Sequence, residues 1–146
     1  MKKILFATLF VASLGIVGCG CAKKTTKNNT VNVTELNGAW NVVELNGKNI
    51  SVSDNTPYLE LNFSNNRLQG KGSCNRTNGN FELSDSDPSA IRFPAVMTTR
   101  MACPEMQLEA EYLKALNEVQ SVIKVDKNKY GFVDKNGNVL FVVSPR

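Results

Sequence analysis

The chain has 146 residues, room for one domain, and a formal net charge of +4 from 17 Lys and Arg against 13 Asp and Glu. That balance is too weak to argue for nucleic acid or for an electrostatically driven membrane association. Histidine is absent, which removes Ser–His and Cys–His nucleophilic arrangements and the commonest transition-metal ligand.

Residues 1–18 open on Lys2 and Lys3 and continue as an apolar run from Ile4 to Val17, relieved by Thr8 and Ser13. A basic start, a short apolar segment and a small residue at a cleavage point make a secretory signal. The run is shorter than the ~20 residues that a spanning helix needs. Gly18-Cys19 resembles the lipobox of bacterial lipoproteins, in which that Cys is acylated and becomes the mature N-terminus. Cys19 is therefore the expected lipidation site, and the membrane is the expected partner of the N-terminus. Cys21 follows Cys19 and Gly20, which makes it a poorer acceptor. Gly20 stands where an Asp would suggest inner-membrane retention, and no acidic cluster follows. The expected location is the outer membrane, facing the periplasm.

Cleavage would remove Lys2, Lys3 and no acid, leaving +2 on the rest. Residues 19–35 read as a flexible tether, since Lys23 to Asn32 is rich in Lys, Thr and Asn and holds no apolar residue before Val31. Residues 36–146 read as the folded domain.

Strand signals dominate that domain. Ala39 to Leu45 carries Trp40, Val42 and Val43 and ends at Asn46-Gly47, a strong hairpin turn pair. Tyr58 to Phe63 alternates, with Leu59, Leu61 and Phe63 on one face. Ser64-Asn65-Asn66 turns the chain into a strand over 67–71. Asn78-Gly79 reads as a turn before a short strand at Phe81 and Leu83. Ile91, Phe93 and Ala95 alternate in the next, where Pro94 argues for an edge or a bulge. Strands follow at 122–125, 130–133 and 139–143, separated by turns at 126–128 and 136–138.

One helix interrupts the series. Pro104 suits a first helical position, and Glu105 suits the positive dipole end. Leu108, Tyr112, Leu116 and Val119 recur at helical spacing and predict a core-facing stripe. Eight or nine short antiparallel strands exceed what a flat sheet holds comfortably. A mainly β fold closed into a small barrel, with the helix covering one mouth, removes the exposed edges. A two-layer α+β sheet is the competing arrangement.

Cysteine usage fits an oxidising envelope. With Cys19 lipidated and Cys21 in the tether, Cys74 and Cys103 remain, and a disulfide between them is the simplest account. No CxxC spacing and no His companion accompany them, so no metal and no cofactor are expected.

Three local motifs stand out: Gly38-Ala39-Trp40; Gly70-Lys71-Gly72-Ser73-Cys74-Asn75 followed by Asn78-Gly79-Asn80-Phe81; and Thr98-Thr99-Arg100-Met101-Ala102-Cys103-Pro104 ahead of the helix. Together they resemble the META domain, also called HslJ-like, over Leu36 to Pro145. The resemblance implies a small β-barrel of lipocalin-like topology, an envelope lipoprotein, links to heat shock and envelope stress, and no established enzymatic activity. It supplies no ligand. The residues have structural readings of their own. Trp40 is expected in the core, Gly70 and Gly72 at a bulge or close backbone approach, and Asn75 and Asn78 in local Asx-type turns.

Glu105 and Glu109, four residues apart, form a permissible acid/base pair, but no nucleophile–base set can be assembled around them, so a non-enzyme is expected. A binding or stress module with an unknown protein or small-molecule partner is the leading expectation. The alternative is an inhibitor of envelope or secreted proteases that presents the disulfide-tied loop 98–104. Thr99, Arg100 and Met101 are the candidate binding residues. A scaffold role for the loop would instead place Met101 in the core.

Overall fold

The computed structural model describes residues 31–146. The signal segment, Cys19, Cys21 and residues 22–30 of the tether lie outside the described residues. Nine antiparallel strands form one sheet: β1 Gly38–Leu45, β2 Lys48–Asn49, β3 Tyr58–Asn62, β4 Arg67–Lys71, β5 Arg76–Leu83, β6 Ile91–Thr98, β7 Ser121–Asp126, β8 Lys129–Val133 and β9 Val139–Pro145. Among the described residues a single α-helix, α1 Met106–Glu118, joins β6 to β7.

The strand order is β6-β5-β4-β3-β1-β9-β8-β7, with β2 a spur on β1. The sheet curls until its two edge strands meet at one end. There the Val122 N–H donates to Ser89 O at 2.9 Å and the Ile91 N–H to Gln120 O at 3.2 Å. The result is a half-barrel, in keeping with the curling expected from the strand count and the lipocalin-like topology that the family resemblance implies, with α1 packed against β6 and β9.

Local chemistry explains most of the boundaries. Asn46 and Gly47 take positive φ (49° and 76°), the conformation a two-residue hairpin turn demands between Leu45 and Lys48. Leu59 and Leu61 of β3 and Leu68 of β4 point inward and are buried. Pro94 lies in β6, an edge strand of the sheet, where a missing N–H costs no ladder bond. Phe132 stacks on Phe141 with centroids 4.6 Å apart, and Tyr112 of α1 meets Phe141 edge-on at 5.6 Å.

Three expectations are corrected. Asn78-Gly79 makes no turn: both residues lie inside β5, which runs unbroken from Arg76. A Cβ on Gly79 would stand 2.6 Å from Ala95 O, so the glycine serves close approach of β5 to β6. Pro104 stands just outside the helix. Glu105 takes the N-cap position, its carbonyl accepting the Glu109 N–H at 3.1 Å. The packed domain also starts earlier than residue 36. Val31 and Val33 are buried in the core, a 3-10 turn spans Val33–Leu36, and the Val33 N–H donates to Pro88 O at 2.9 Å.

Trp40 is buried as expected, and its polar edge is satisfied. The indole N–H donates to Leu36 O at 2.9 Å and the ring meets Tyr130 edge-on at 5.3 Å. Tyr130 in turn donates its hydroxyl to Glu35 Oε2 at 2.8 Å. The early 3-10 turn is thus tied to the barrel through both aromatic residues.

Candidate functional site

The second and third sequence motifs meet at the N-terminal end of α1. Lys71 ends β4, Arg76 begins β5, and the four residues between them form a tight connection in which the Gly72 N–H donates to Asn75 O at 2.8 Å. Thr98 ends β6 beside Thr77. Residues 99–105 then cross to the helix. The disulfide between Cys74 and Cys103, with Cα atoms 6.5 Å apart, links these two connections.

Asn75 is the hub, and it is buried. Its Oδ1 accepts from Thr99 Oγ1 at 2.8 Å and from the Met101 N–H at 2.7 Å. Its Nδ2 donates to Met101 O at 3.0 Å and to Glu109 Oε1 at 2.7 Å. The expected local Asx turn is therefore replaced by bonds that span 24 to 34 residues of sequence. A side-chain amide offers donor and acceptor together, so one residue grips the Met101 peptide at both its N–H and its carbonyl.

Glu109 completes the cluster from the helix. It is only 7% exposed, and Oε2 accepts the Asn75 N–H at 2.9 Å and the Cys74 N–H at 3.3 Å. Hydrogen bonds to backbone donors are what make a buried carboxylate tolerable. Gly72 leaves the space it needs: a Cβ there would lie 2.6 Å from Glu109 Cγ. Glu105, the other half of the suggested carboxylate pair, turns away to accept from Asn55 Nδ2 at 3.2 Å. The two glutamates thus have separate duties.

The three candidate binding residues are treated differently by this arrangement. Thr99 is spent on scaffold, since its Oγ1 also accepts the Arg76 N–H at 3.1 Å. Met101 has its backbone pinned and its side chain outward, 58% exposed, so it is not in the core. Arg100, between them, is exposed. Met101 and Met106 share an open groove of about 300 Å³ with Thr98, Arg100 and the edges of Asn75 and Glu109. Two flexible thioethers and one guanidinium make a surface suited to an apolar group carrying a negative charge.

Sequence reasoning missed the burial of Glu109. The signal was present, since Glu109 stands three residues before Tyr112 on the core-facing stripe. The donor atoms of Cys74, Cys103 and Glu109 all lie within 4.8 Å of one another. With both sulfurs spent in the disulfide, only the carboxylate of that trio is free to act as a ligand.

The fold and the site define a small half-barrel domain whose one helix is clamped to the sheet by a disulfide and a buried Asn–Glu pair. The chain belongs to the META domain family, whose family model matches residues 31–144. No curated protein matches the chain. Among solved structures, an NMR structure of a protein from Burkholderia xenovorans superposes with a TM-score of 0.61 at 20% identity, covering 100% of this chain and 99% of that one. A crystal structure of a DUF4847 family protein from Bacteroides vulgatus gives a TM-score of 0.58 at 13% identity, covering 78% of this chain and 97% of that one. At such identities these likenesses speak for the fold.

Proposed function

We propose that the protein is a lipid-anchored, non-enzymatic binding module of the bacterial cell envelope, held through Cys19 at the periplasmic face of the outer membrane and serving in envelope stress. The signal segment and the Gly18-Cys19 pair support the anchor, and membership of the META domain family supports an envelope role. The observation that carries the binding reading is the treatment of residues 99–103. The segment is fixed at Thr99, Met101 and Cys103 while Arg100 and the Met101 side chain face solvent. A surface ordered before its partner arrives loses little entropy on binding.

The test is capture from envelope extract by the chain carrying Cys19→Ala, compared with the same chain carrying Arg100→Ala or Met101→Ala. Specific partners should be captured by the first and weakened at least tenfold in the second and third, with melting temperatures unchanged. Equal capture by all three would remove the loop from the binding surface. Incorporation of labelled palmitate, lost on Cys19→Ala, tests the anchor separately.

The same observation favours one second reading. A disulfide-tied loop with an outward Arg100-Met101 pair has the form of a segment offered to a protease cleft. Envelope proteases titrated with the purified protein should lose activity stoichiometrically on this reading, and should be unaffected if the loop binds something else.

A further inference from the structure

Reduction of the disulfide would leave two thiols facing a buried carboxylate. Cys74 Sγ stands 3.7 Å from Glu109 Oε2, and the Cys103 sulfur completes a trio whose donor atoms all lie within 4.8 Å of one another. In a tetrahedral zinc site, metal–sulfur bonds of about 2.3 Å and metal–oxygen bonds of about 2.1 Å hold sulfur and oxygen about 3.6 Å apart. The Cys74–Glu109 separation already matches that spacing. Of a carboxylate's roughly four acceptor sites, Oε2 spends two on Cys74 N and Asn75 N and Oε1 one on Asn75 Nδ2, so a cation takes the open site on Oε1 or replaces the long 3.3 Å bond from Cys74 N at Oε2. Cys74 and Cys103 are half-buried, so a small cation can reach them and a water can complete the coordination.

We propose that Cys74, Cys103 and Glu109 form a redox-gated site for a thiophilic divalent cation such as Zn²⁺, closed while the disulfide is intact and opened by a dithiol reductant. The first step takes two electrons and two protons from the dithiol, which becomes a disulfide as the Cys74–Cys103 bond breaks into two thiols. The second step binds the cation to both sulfurs and releases the two thiol protons to water. The charge balance favours it. Two thiolates beside a buried carboxylate repel one another, and one divalent ion offsets most of that charge. The site adjoins the Arg100 surface, since Glu109 also edges the groove that Arg100 and Met101 line.

The test uses the full chain with Cys19→Ser and Cys21→Ser, so that only this pair of cysteines remains, and Co²⁺ alone as the probe. After reduction by a phosphine, one Co²⁺ per chain should bind, with a thiolate-to-cobalt absorption band and the visible bands of tetrahedral cobalt. Zn²⁺ should displace it, and two protons should be released per metal. The oxidised chain should bind none. Glu109→Gln keeps an oxygen for the backbone donors but removes the charge, and should weaken binding by at least about tenfold. Emission from Trp40, the only tryptophan, reports whether the reduced chain stays folded. Three outcomes would overturn the proposal: no cobalt band, equal affinity in natively folded Glu109→Gln, or binding only by a chain whose Trp40 emission is that of the unfolded state.

Discussion

Asn75 and Glu109 meet across 34 residues of sequence, the Asn75 amide donating to Glu109 Oε1 at 2.7 Å and its backbone N–H to Oε2 at 2.9 Å. Through this contact the connection after β4, the segment after β6 and the first turn of α1 become one rigid unit. The relationship sets the first expectation. Asn75→Ala would leave the buried Glu109 Oε1 and the part-buried Met101 N–H and carbonyl without their partner, and take the acceptor from the Thr99 hydroxyl, which keeps its bond from the Arg76 N–H. Each unpaired buried group costs roughly 1–3 kcal/mol, with partial relief from water, so a loss of about 3 kcal/mol is expected in chemical denaturation. A loss below about 1 kcal/mol would mean that the cluster is replaceable by solvent.

Much of the fold is readable in the residues because its causes are local. Alternation at Leu59 and Leu61, the Asn46-Gly47 turn and the Leu108–Tyr112–Leu116 stripe each act over a few positions. The Cys74–Cys103 pairing follows by elimination among four cysteines. The centre of the site resists the same reading. An Asn in a Gly- and Ser-rich stretch looks like a local turn former, and a Glu early in a helix looks like a dipole partner. Only the curl of the sheet brings Asn75 and Glu109 together, and no short-range pattern records that. The continuity of β5 through Asn78-Gly79 was hidden for the same reason: the glycine answers to Ala95 on the neighbouring strand.

Gly72→Ala tests how tightly the cluster is packed. The new methyl would stand 2.6 Å from Glu109 Cγ, so either the helix or the connection must shift. Overpacking of this kind costs about 1–3 kcal/mol. In the double variant Gly72→Ala with Glu109→Ala the methyl has room, so the two losses should be clearly less than additive. Strict additivity in urea denaturation would show that Gly72 is required for another reason.

Removing the disulfide should weaken the domain without abolishing it. The bond closes a loop with a sequence separation of 29 residues, which the chain-entropy argument values at roughly 3–4 kcal/mol. The Asn75 and Glu109 bonds remain when both cysteines become alanine. The Cys74→Ala, Cys103→Ala chain should therefore show a lower denaturation midpoint and a somewhat steeper slope, because the unfolded chain expands without the cross-link. In the unmodified protein, non-reducing digestion and mass spectrometry should yield one peptide joining Cys74 to Cys103.

Trp40 holds the other end of the half-barrel. Trp40→Ala would remove its edge contact with Tyr130 and leave Leu36 O without its donor. A loss of about 3–5 kcal/mol is expected for a buried large aromatic. Trp40→Phe keeps one aromatic ring but loses the hydrogen bond and part of the indole's packing, so it should cost less than the alanine variant, about 1–2 kcal/mol. Similar losses for both variants would place the value of Trp40 in its N–H.

Tyr112 links packing to pH. It is fully buried, and its hydroxyl is among the buried polar atoms without a hydrogen-bond partner within the described residues. Burial alone pushes its phenol far above the usual range. In the unfolded chain a tyrosine loses its proton near pH ~10. Above that pH the unfolded chain binds fewer protons than the folded one, so stability falls as pH rises. Tyr130 acts in the same sense, raised first by burial and then by its bond to Glu35 and the charge there. Tyr112→Phe keeps the edge contact with Phe141 and deletes the unpaired hydroxyl. Near neutral pH its stability should match the wild type or exceed it by up to about 1 kcal/mol. On raising the pH beyond ~10 the gap should widen in its favour, leaving only the decline that Tyr130 and the other titrating groups contribute. Melting temperatures of the two proteins between neutral and alkaline pH decide the matter. Parallel curves would mean that Tyr112 ionises in the folded state as freely as a tyrosine in water, and that the hydroxyl is reached by solvent.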